Sequence, residues 1–300
     1  LTYPYYKISE EREKVKDYIH NSIQLYILIM RKIFLSLIIL LACSSIFAQY
    51  TIKKIWESDS VTLKGPESAT YDPVSKTVYI SSMNNGSLVQ MDLNGKILKS
   101  DWVTGLSSNK GIGFHNDFLY NAETASVAIV DMKNGALVKR IPVIGAVMLN
   151  DLDVDKNGTI YVSDTRAGKV YRIENDQPTL FLENIPGANG ILTVGSDVYV
   201  VGTNTFLKVD ADKKITQIDE GYENGLDGIV MISKDEFILS NYRGMIYYVS
   251  AKGEKQVLLD TRDRKIMAND ISYDKKSNTL FVPSFGTNRI IGYSLIKSNK

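Results

Sequence analysis

The chain has 300 residues, with 35 Lys and Arg against 34 Asp and Glu, a formal charge of +1. That balance excludes the basic footprint with which proteins hold nucleic acid, and 44% hydrophobic with 23% charged residues is the composition of a globular chain with a full core. One cysteine, Cys43, and two histidines, His20 and His115, exclude a disulfide framework, a multi-cysteine cluster and a histidine-rich metal centre, so any metal must be held by oxygen.

Residues 30–49 read MRKIFLSLIILLACSSIFAQ: a basic start at Arg31 and Lys32, an apolar run from Ile33 to Ala42, and a small residue, Ala48, before a cleavage point. This is the pattern of a secretory signal peptide. The run would span only about 15 Å as a helix, half of a hydrocarbon core of about 30 Å, so no integral membrane segment is expected in the mature chain. Residues 1–29 precede it and the chain opens on Leu1, which suggests a start assigned upstream of Met30. Cys43 in LLAC resembles a lipoprotein box, but the tail IFAQ favours ordinary cleavage. A periplasmic or secreted protein follows, with a lipid anchor at Cys43 as the other outcome. Removing residues 1–49 takes away six basic and four acidic side chains and leaves a net charge of −1.

Beyond Tyr50 the sequence repeats. Six copies begin at Glu67, Lys110, Asn150, Asn189, Asp227 and Asn269, at intervals of 38 to 43 residues. Runs such as TVYIS, TIYVSD, DVYVVG and NTLFVPS alternate with period two and are rich in β-branched and aromatic residues, and Gly, Asn, Asp and Lys separate them. These are strands. About forty residues per four-stranded unit is the propeller period, which predicts an all-β fold, a six-bladed β-propeller over residues 50–300. The last repeat supplies only three strands, and YTIKKIW at the start of the repeat region is a strand without a repeat of its own, so the two are predicted to join and close the ring.

One segment offers a rival reading. DVDKNGTIYVSD, Asp153 to Asp164, has acidic or amide groups at positions 1, 3, 5 and 12 of a calcium loop and Gly158 at position 6. An EF-hand loop lies between helices, however, whereas TIYVSD alternates as a strand and the other repeats turn at the same place, which favours a hairpin turn.

The innermost strand of each propeller blade lines the central channel, so equivalent positions near its start converge on one ring. The repeat phase nominates Glu67, Lys110, Asn150, Asn189, Asp227 and Asn269: two carboxylates, three amides and one ammonium. A polar channel mouth needs no more than water to explain it. A hard divalent cation nevertheless takes six or more oxygens, two carboxylates balance its charge, and Glu67, Asn189 and Asp227 suit that task. Lys110 opposes it unless it points away, pairs with a carboxylate or meets an anionic ligand.

At these residues the chain resembles the regucalcin, gluconolactonase and luciferin-regenerating-enzyme family of six-bladed propellers. The resemblance covers residues 60 to 300 and rests on Glu67 followed by Tyr71, NDLDVDKNG from Asn150, Asn189 with Gly190, and DGIVMISKDEFILSNYRG from Asp227. It implies that Glu67, Asn189 and Asp227 coordinate a divalent metal, Ca²⁺ before Mn²⁺ or Zn²⁺, with Asn150 a ligand or close to it. It implies hydrolysis of a lactone or related cyclic ester, with Asn150 close to the small-molecule substrate. Asp227 is the candidate catalytic base, and Lys110, which departs from the family, and Asn269 are further candidates for substrate contact on the ring. The small Ser68, Ala69 and Thr70 depart from the family pattern and suggest a wider or differently selective pocket. His115, the only histidine after the leader, stands alone and is not placed for a Ser-His-Asp triad. KGIGF lacks the βαβ unit of a dinucleotide site, and Trp56 and Trp102 are expected to fill blade interfaces. The competing reading is a non-catalytic, NHL-like exported propeller that binds a glycan, peptide or protein.

Overall fold

A computed structural model describes residues 12, 14–20, 22–32 and 50–298. The chain divides into two units, Leu1–Ala48 and Gln49–Lys300. In the first, residues 14–20 and 22–32 are helical and exposed. Most of the expected signal segment, including Cys43, lies outside the described residues. No helix among the described residues is long and apolar enough to cross a membrane.

In the second unit the alternating runs form strands β1 to β24, arranged as six four-stranded antiparallel sheets. Four consecutive strands make each of the first five blades: β2–β5 within residues 66–103, β6–β9 within 112–142, β10–β13 within 149–182, β14–β17 within 191–220 and β18–β21 within 226–260. The sixth contains β22 (Ser272–Asp274), β23 (Thr279–Ser284) and β24 (Arg289–Lys297), and β1 (Tyr50–Glu57) completes it from the other end of the propeller. The register runs from Tyr50 opposite Lys297 to Glu57 opposite Ile291. The ring therefore closes as the unassigned first strand predicted, and edge exposure is limited to the short outer strands.

Trp56 on β1 shows how tightly this closure is packed. Its indole lies over Gly292 of β24, where a Cβ would stand 2.2 Å from the ring, and against Gly95 of blade 1. Only a residue without a side chain admits the indole there. Trp56 is half-buried and Trp102 buried, its ring tilted against Tyr79 with centroids 4.9 Å apart, so both tryptophans fill blade contacts as expected.

Between neighbouring blades the inward faces of the strands interdigitate. Tyr199, Phe206, Phe237 and Tyr247, for example, join blades 4 and 5, with Phe206 and Phe237 edge to face at 5.1 Å. Each such side chain contributes about 1.5–3 kcal/mol by leaving water. The segment Asp153–Asp164 is a hairpin and not a calcium loop: Asp155 Oδ1 accepts the Asn157 and Thr159 N–H groups in a turn, and Asp164 is fully buried, capping the next turn through the N–H groups of Val147, Met148 and Ala167.

Candidate metal centre

The six nominated residues occupy one ring, built by two alternating backbone devices. In blades 1, 3 and 5, Glu67, Asn150 and Asp227 are the second residues of β2 (Pro66–Asp72), β10 (Leu149–Val154) and β18 (Leu226–Ser233), and the register slips immediately after each. Such a bulge re-aims side chains and leaves a backbone donor without its ladder partner. A serine on the adjacent strand meets that donor each time: Ser81 Oγ accepts Ser68 N–H, Ser163 Oγ accepts Asp151 N–H and Ser240 Oγ accepts Gly228 N–H, at 2.8 to 3.0 Å.

In blades 2, 4 and 6, Lys110, Asn189 and Asn269 lie just before the inner strand, with their N–H groups on the carbonyls of Ala122, Val201 and Pro283. The next residue then crosses to the neighbouring blade: Gly111 N–H to Asn150 O, Gly190 N–H to Asp227 O and Asp270 N–H to Glu67 O, at 2.7 to 3.1 Å. Three cross-blade stitches thus bring residues from far apart in the chain to one circle.

All six are buried. Asp227 accepts hydrogen bonds from both flanking amides, Asn189 Nδ2 at 2.8 Å and Asn269 Nδ2 at 3.2 Å. Asn150 Nδ2 donates to Thr165 Oγ1, which donates in turn to Ala188 O. With their nitrogens so engaged, the amide oxygens of Asn150 and Asn189 have no donor, and neither does Glu67 Oε2. A buried oxygen without a partner is uncommon and costly; here three ring members each present one. Asn269 differs, because its Oδ1 accepts Phe285 N–H. Among the described residues no three His, Cys, Asp or Glu side chains form a metal cluster, so a cation at this ring would depend on amide as well as carboxylate oxygens.

Burial and mutual repulsion push the carboxylates toward the protonated form. Asp227 rises to about 8 through desolvation and then the charge of Asp270, and Glu67 is also raised, by burial first and then by Asp227 and Asp270, while Lys110 opposes the rise. The Asp227 charge thus reaches Glu67, which sets the two carboxylates on the same side of the electrostatic balance at the ring.

A second acidic layer lies beneath the first and was not among the nominated residues. Asp151 and Asp270 are the residues after Asn150 and Asn269, three blades apart, and both are buried. Asp151 accepts Leu152 and Ile191 N–H, and Asp270 accepts the Ser68 hydroxyl at 2.5 Å. A Cβ at Gly111 would stand 2.4 Å from Asp151 Oδ1 and one at Gly228 2.5 Å from Asp270 Oδ1, so glycine in the neighbouring blade makes room for each carboxylate. Desolvation raises both, Asp270 to about 7. The paired Asn-Asp dipeptides in repeat phase were the available signal.

Lys110 is placed at the ring but not on a carboxylate: its ammonium donates to Ser108 O at 3.1 Å and to Ser108 Oγ at 3.3 Å. His115 closes the other end of β6 (Ile112–His115), beside the Gly158 turn, away from the ring. A cleft of about 650 Å³ opens at that same end between blades 3 and 4, but Arg172 there is paired with Glu174 and Asp197 with Lys208.

Neither the protein-family models nor the curated protein sequences compared with this chain match it. Solved structures do. A gluconolactonase from Xanthomonas campestris is 14% identical over 82% of this chain and 89% of its own, with a TM-score of 0.66. A calcium-binding regucalcin from Agrobacterium tumefaciens is 15% identical over 82% and 96%, at 0.61. A catalytically inactive virginiamycin B lyase from Staphylococcus aureus with quinupristin is 12% identical over 83% and 100%, at 0.63. Likeness at such low identity carries the fold and leaves activity to the site. By fold, then, this chain is a six-bladed β-propeller whose structural neighbours include gluconolactonase, luciferin-regenerating enzyme and regucalcin.

Proposed function

We propose that the protein is an exported, metal-dependent hydrolase of a lactone or related cyclic ester. The observation that carries this reading is the set of three donorless buried oxygens, Glu67 Oε2, Asn150 Oδ1 and Asn189 Oδ1, on one ring with the Asp227 carboxylate. Four oxygen-bearing side chains with two negative charges fit a hard divalent cation, Ca²⁺ first, and water and substrate would complete its shell. A non-catalytic propeller that binds a partner on its surface would leave these oxygens to water alone.

A cation held there supplies Lewis acidity to the ester carbonyl. The chain supplies the rest. Burial keeps bulk water away from the ring, and Asn189 and Asn269 hold the Asp227 carboxyl from both sides, fixing its orientation. Asp227 takes a proton from the attacking water as that oxygen bonds to the carbonyl carbon; the ring C–O bond breaks, and the proton passes to the departing alkoxide, which leaves as a hydroxyl. Asn150, fixed by Thr165, presents its oxygen to the ion or the substrate. The signal-peptide pattern of residues 30–49 supports export.

A panel of sugar and aliphatic lactones, assayed on purified protein with and without a chelator, tests the reading. Chelator-sensitive hydrolysis, restored by Ca²⁺ or Mn²⁺, is the expected result. The proposal falls if no lactone is opened with any of Ca²⁺, Mn²⁺ or Zn²⁺ present.

A further inference from the structure

We infer that the substrate carries a second, anionic group, and that Lys110 with Arg166 receives it at the mouth of the ring. The inference rests on the hydrolase reading above and names its substrate class.

Lys110 is a buried cation beside the candidate metal centre, close enough to Glu67 for the two charges to act on each other. Among the described residues it nonetheless makes no ion pair: its only polar contacts are with Ser108 O and Ser108 Oγ. An ammonium has three N–H donors, so one remains uncommitted. Its anchor is built for the purpose. Ser108 adopts a left-handed φ of 52°, a conformation uncommon for a non-glycine residue, and its carbonyl and hydroxyl both accept from the lysine.

The loop that carries both residues is pinned on three sides. Arg140 donates to Gly105 O, the buried Glu123 carboxylate accepts Ser107 N–H, and Asn109 Nδ2 donates to Ser87 O. Lys110 is therefore held in place and is not a surface side chain that strays inward. Arg166 is exposed and directly follows Thr165, whose hydroxyl holds the ring amide of Asn150, so its loop borders the ring.

Charge counting points the same way. Glu67 and Asp227 would offset a divalent cation, and the carboxylates of Asp151 and Asp270 are taken up by the N–H groups of Leu152 and Ile191 and the Ser68 hydroxyl, so among the described residues Lys110 and Arg166 have no ion-pair partner of their own. A neutral lactone has no use for two cations, whereas a lactone bearing a carboxylate or phosphate would be drawn in, oriented and bound by them.

The test compares glucono-1,5-lactone, which is neutral, with glucaro-1,4-lactone, which adds a carboxylate, and 6-phosphoglucono-1,5-lactone, which adds a phosphate, on wild type, Lys110→Met, Lys110→Arg and Arg166→Gln. The expected result is a wild-type preference, in kcat/KM, for one of the anionic lactones. Lys110→Met should lower that preference about tenfold or more, chiefly through KM, Lys110→Arg should retain part of it, and Arg166→Gln should lower it severalfold. Which anionic lactone responds identifies carboxylate or phosphate as the recognised group. A wild-type preference for the neutral lactone, or a Lys110→Met effect equal on all three, overturns the inference while leaving the hydrolase reading intact. If no lactone is opened, calorimetry of glucarate binding to the calcium-saturated protein decides: binding lost in Lys110→Met and Arg166→Gln upholds the anion site without the hydrolase, and binding that is absent or unaffected rejects it.

Discussion

The closure of the ring can be tested at one atom. Gly292 of β24 has an ordinary strand φ, so Gly292→Ala carries no conformational penalty of its own, but the new methyl would stand 2.2, 2.6 and 2.7 Å from three atoms of the Trp56 indole. No Cβ tolerates such contacts, and the ring is confined on its other side by Gly95 of blade 1, so the indole must leave its seat. Overpacking costs about 1–3 kcal/mol where neighbours yield, and loss of a packed tryptophan about 3–5 kcal/mol. For a domain of this size each kcal/mol is worth roughly 2–4 °C in melting temperature, which puts Gly292→Ala roughly 6–20 °C below wild type if the indole is expelled. The partner experiment is a double-mutant cycle. In a Trp56→Ala background the same methyl meets no indole, and its cost should fall by about 2 kcal/mol or more. Urea denaturation of the four proteins measures this coupling. Additive effects, or a Gly292→Ala protein as stable as wild type, would show that the first and last strands do not pack as described.

Other outcomes follow from the same geometry. Deleting residues 50–56 removes most of the closing strand and should lower the melting temperature by more than about 10 °C, which thermal scanning would show. Asp227→Ala should reduce chelator-sensitive lactone hydrolysis at least about 100-fold, and retention of full activity would remove Asp227 from the reaction. Arg140→Met leaves the buried Glu123 carboxylate without its guanidinium; because Arg140 is 39% exposed and screened, the cost should be about 1–2 kcal/mol by urea denaturation. The pH dependence has a definite sign. Asp227 at about 8 and Asp270 at about 7 bind protons in the folded protein that an unfolded chain, titrating near 3.8, has already lost. Chelator-treated protein should therefore lose stability as pH rises from about 4 to 8, by on the order of 1 kcal/mol per pH unit for each carboxylate, and saturating Ca²⁺ should flatten that slope. The lowered carboxylates, such as Glu57 and Asp59, act oppositely and only in more acidic solution. Greater stability at pH 8 than at pH 5 in chelator would contradict the assignment of these buried acids.

The ring was legible in the sequence because a propeller repeats its backbone path, so residues at one repeat phase reach one radius from the axis whatever their identity. Glu67, Asn150, Asn189 and Asp227 were found in this way, and so was the unpaired first strand. Asp151 and Asp270 were missed because a strict alternation sends the residue after a channel-facing one away from the channel. The bulge after Asn150, and the parallel bridge by which Asp270 crosses to Ser68 of blade 1, break that alternation and turn consecutive residues to the same interior. No periodicity reports a bulge, although the Asn-Asp pairs at 150–151 and 269–270 hinted at one. Arg166 and Ser108 were illegible for a different reason. Ser108 lies on the connection between blades 1 and 2 and Arg166 on the turn between the two middle strands of blade 3, outside the repeat phase that located the ring, and Ser108 reaches Lys110 through a left-handed φ that no composition rule requires of serine. The apparent calcium loop was rightly set aside, since Asp and Asn at alternate positions also make hairpin turns.

Calorimetric titration of Ca²⁺ into chelator-stripped protein, beside Glu67→Gln and Asp227→Asn, addresses the candidate metal centre without presupposing a substrate. A single site per chain in the wild type, lost or weakened at least about 100-fold in each variant while both remain folded, is the outcome expected of oxygens gathered at the axis. Failure of the wild type to bind Ca²⁺, Mn²⁺ or Zn²⁺, or undiminished binding in both variants, would leave a propeller whose central ring has another purpose.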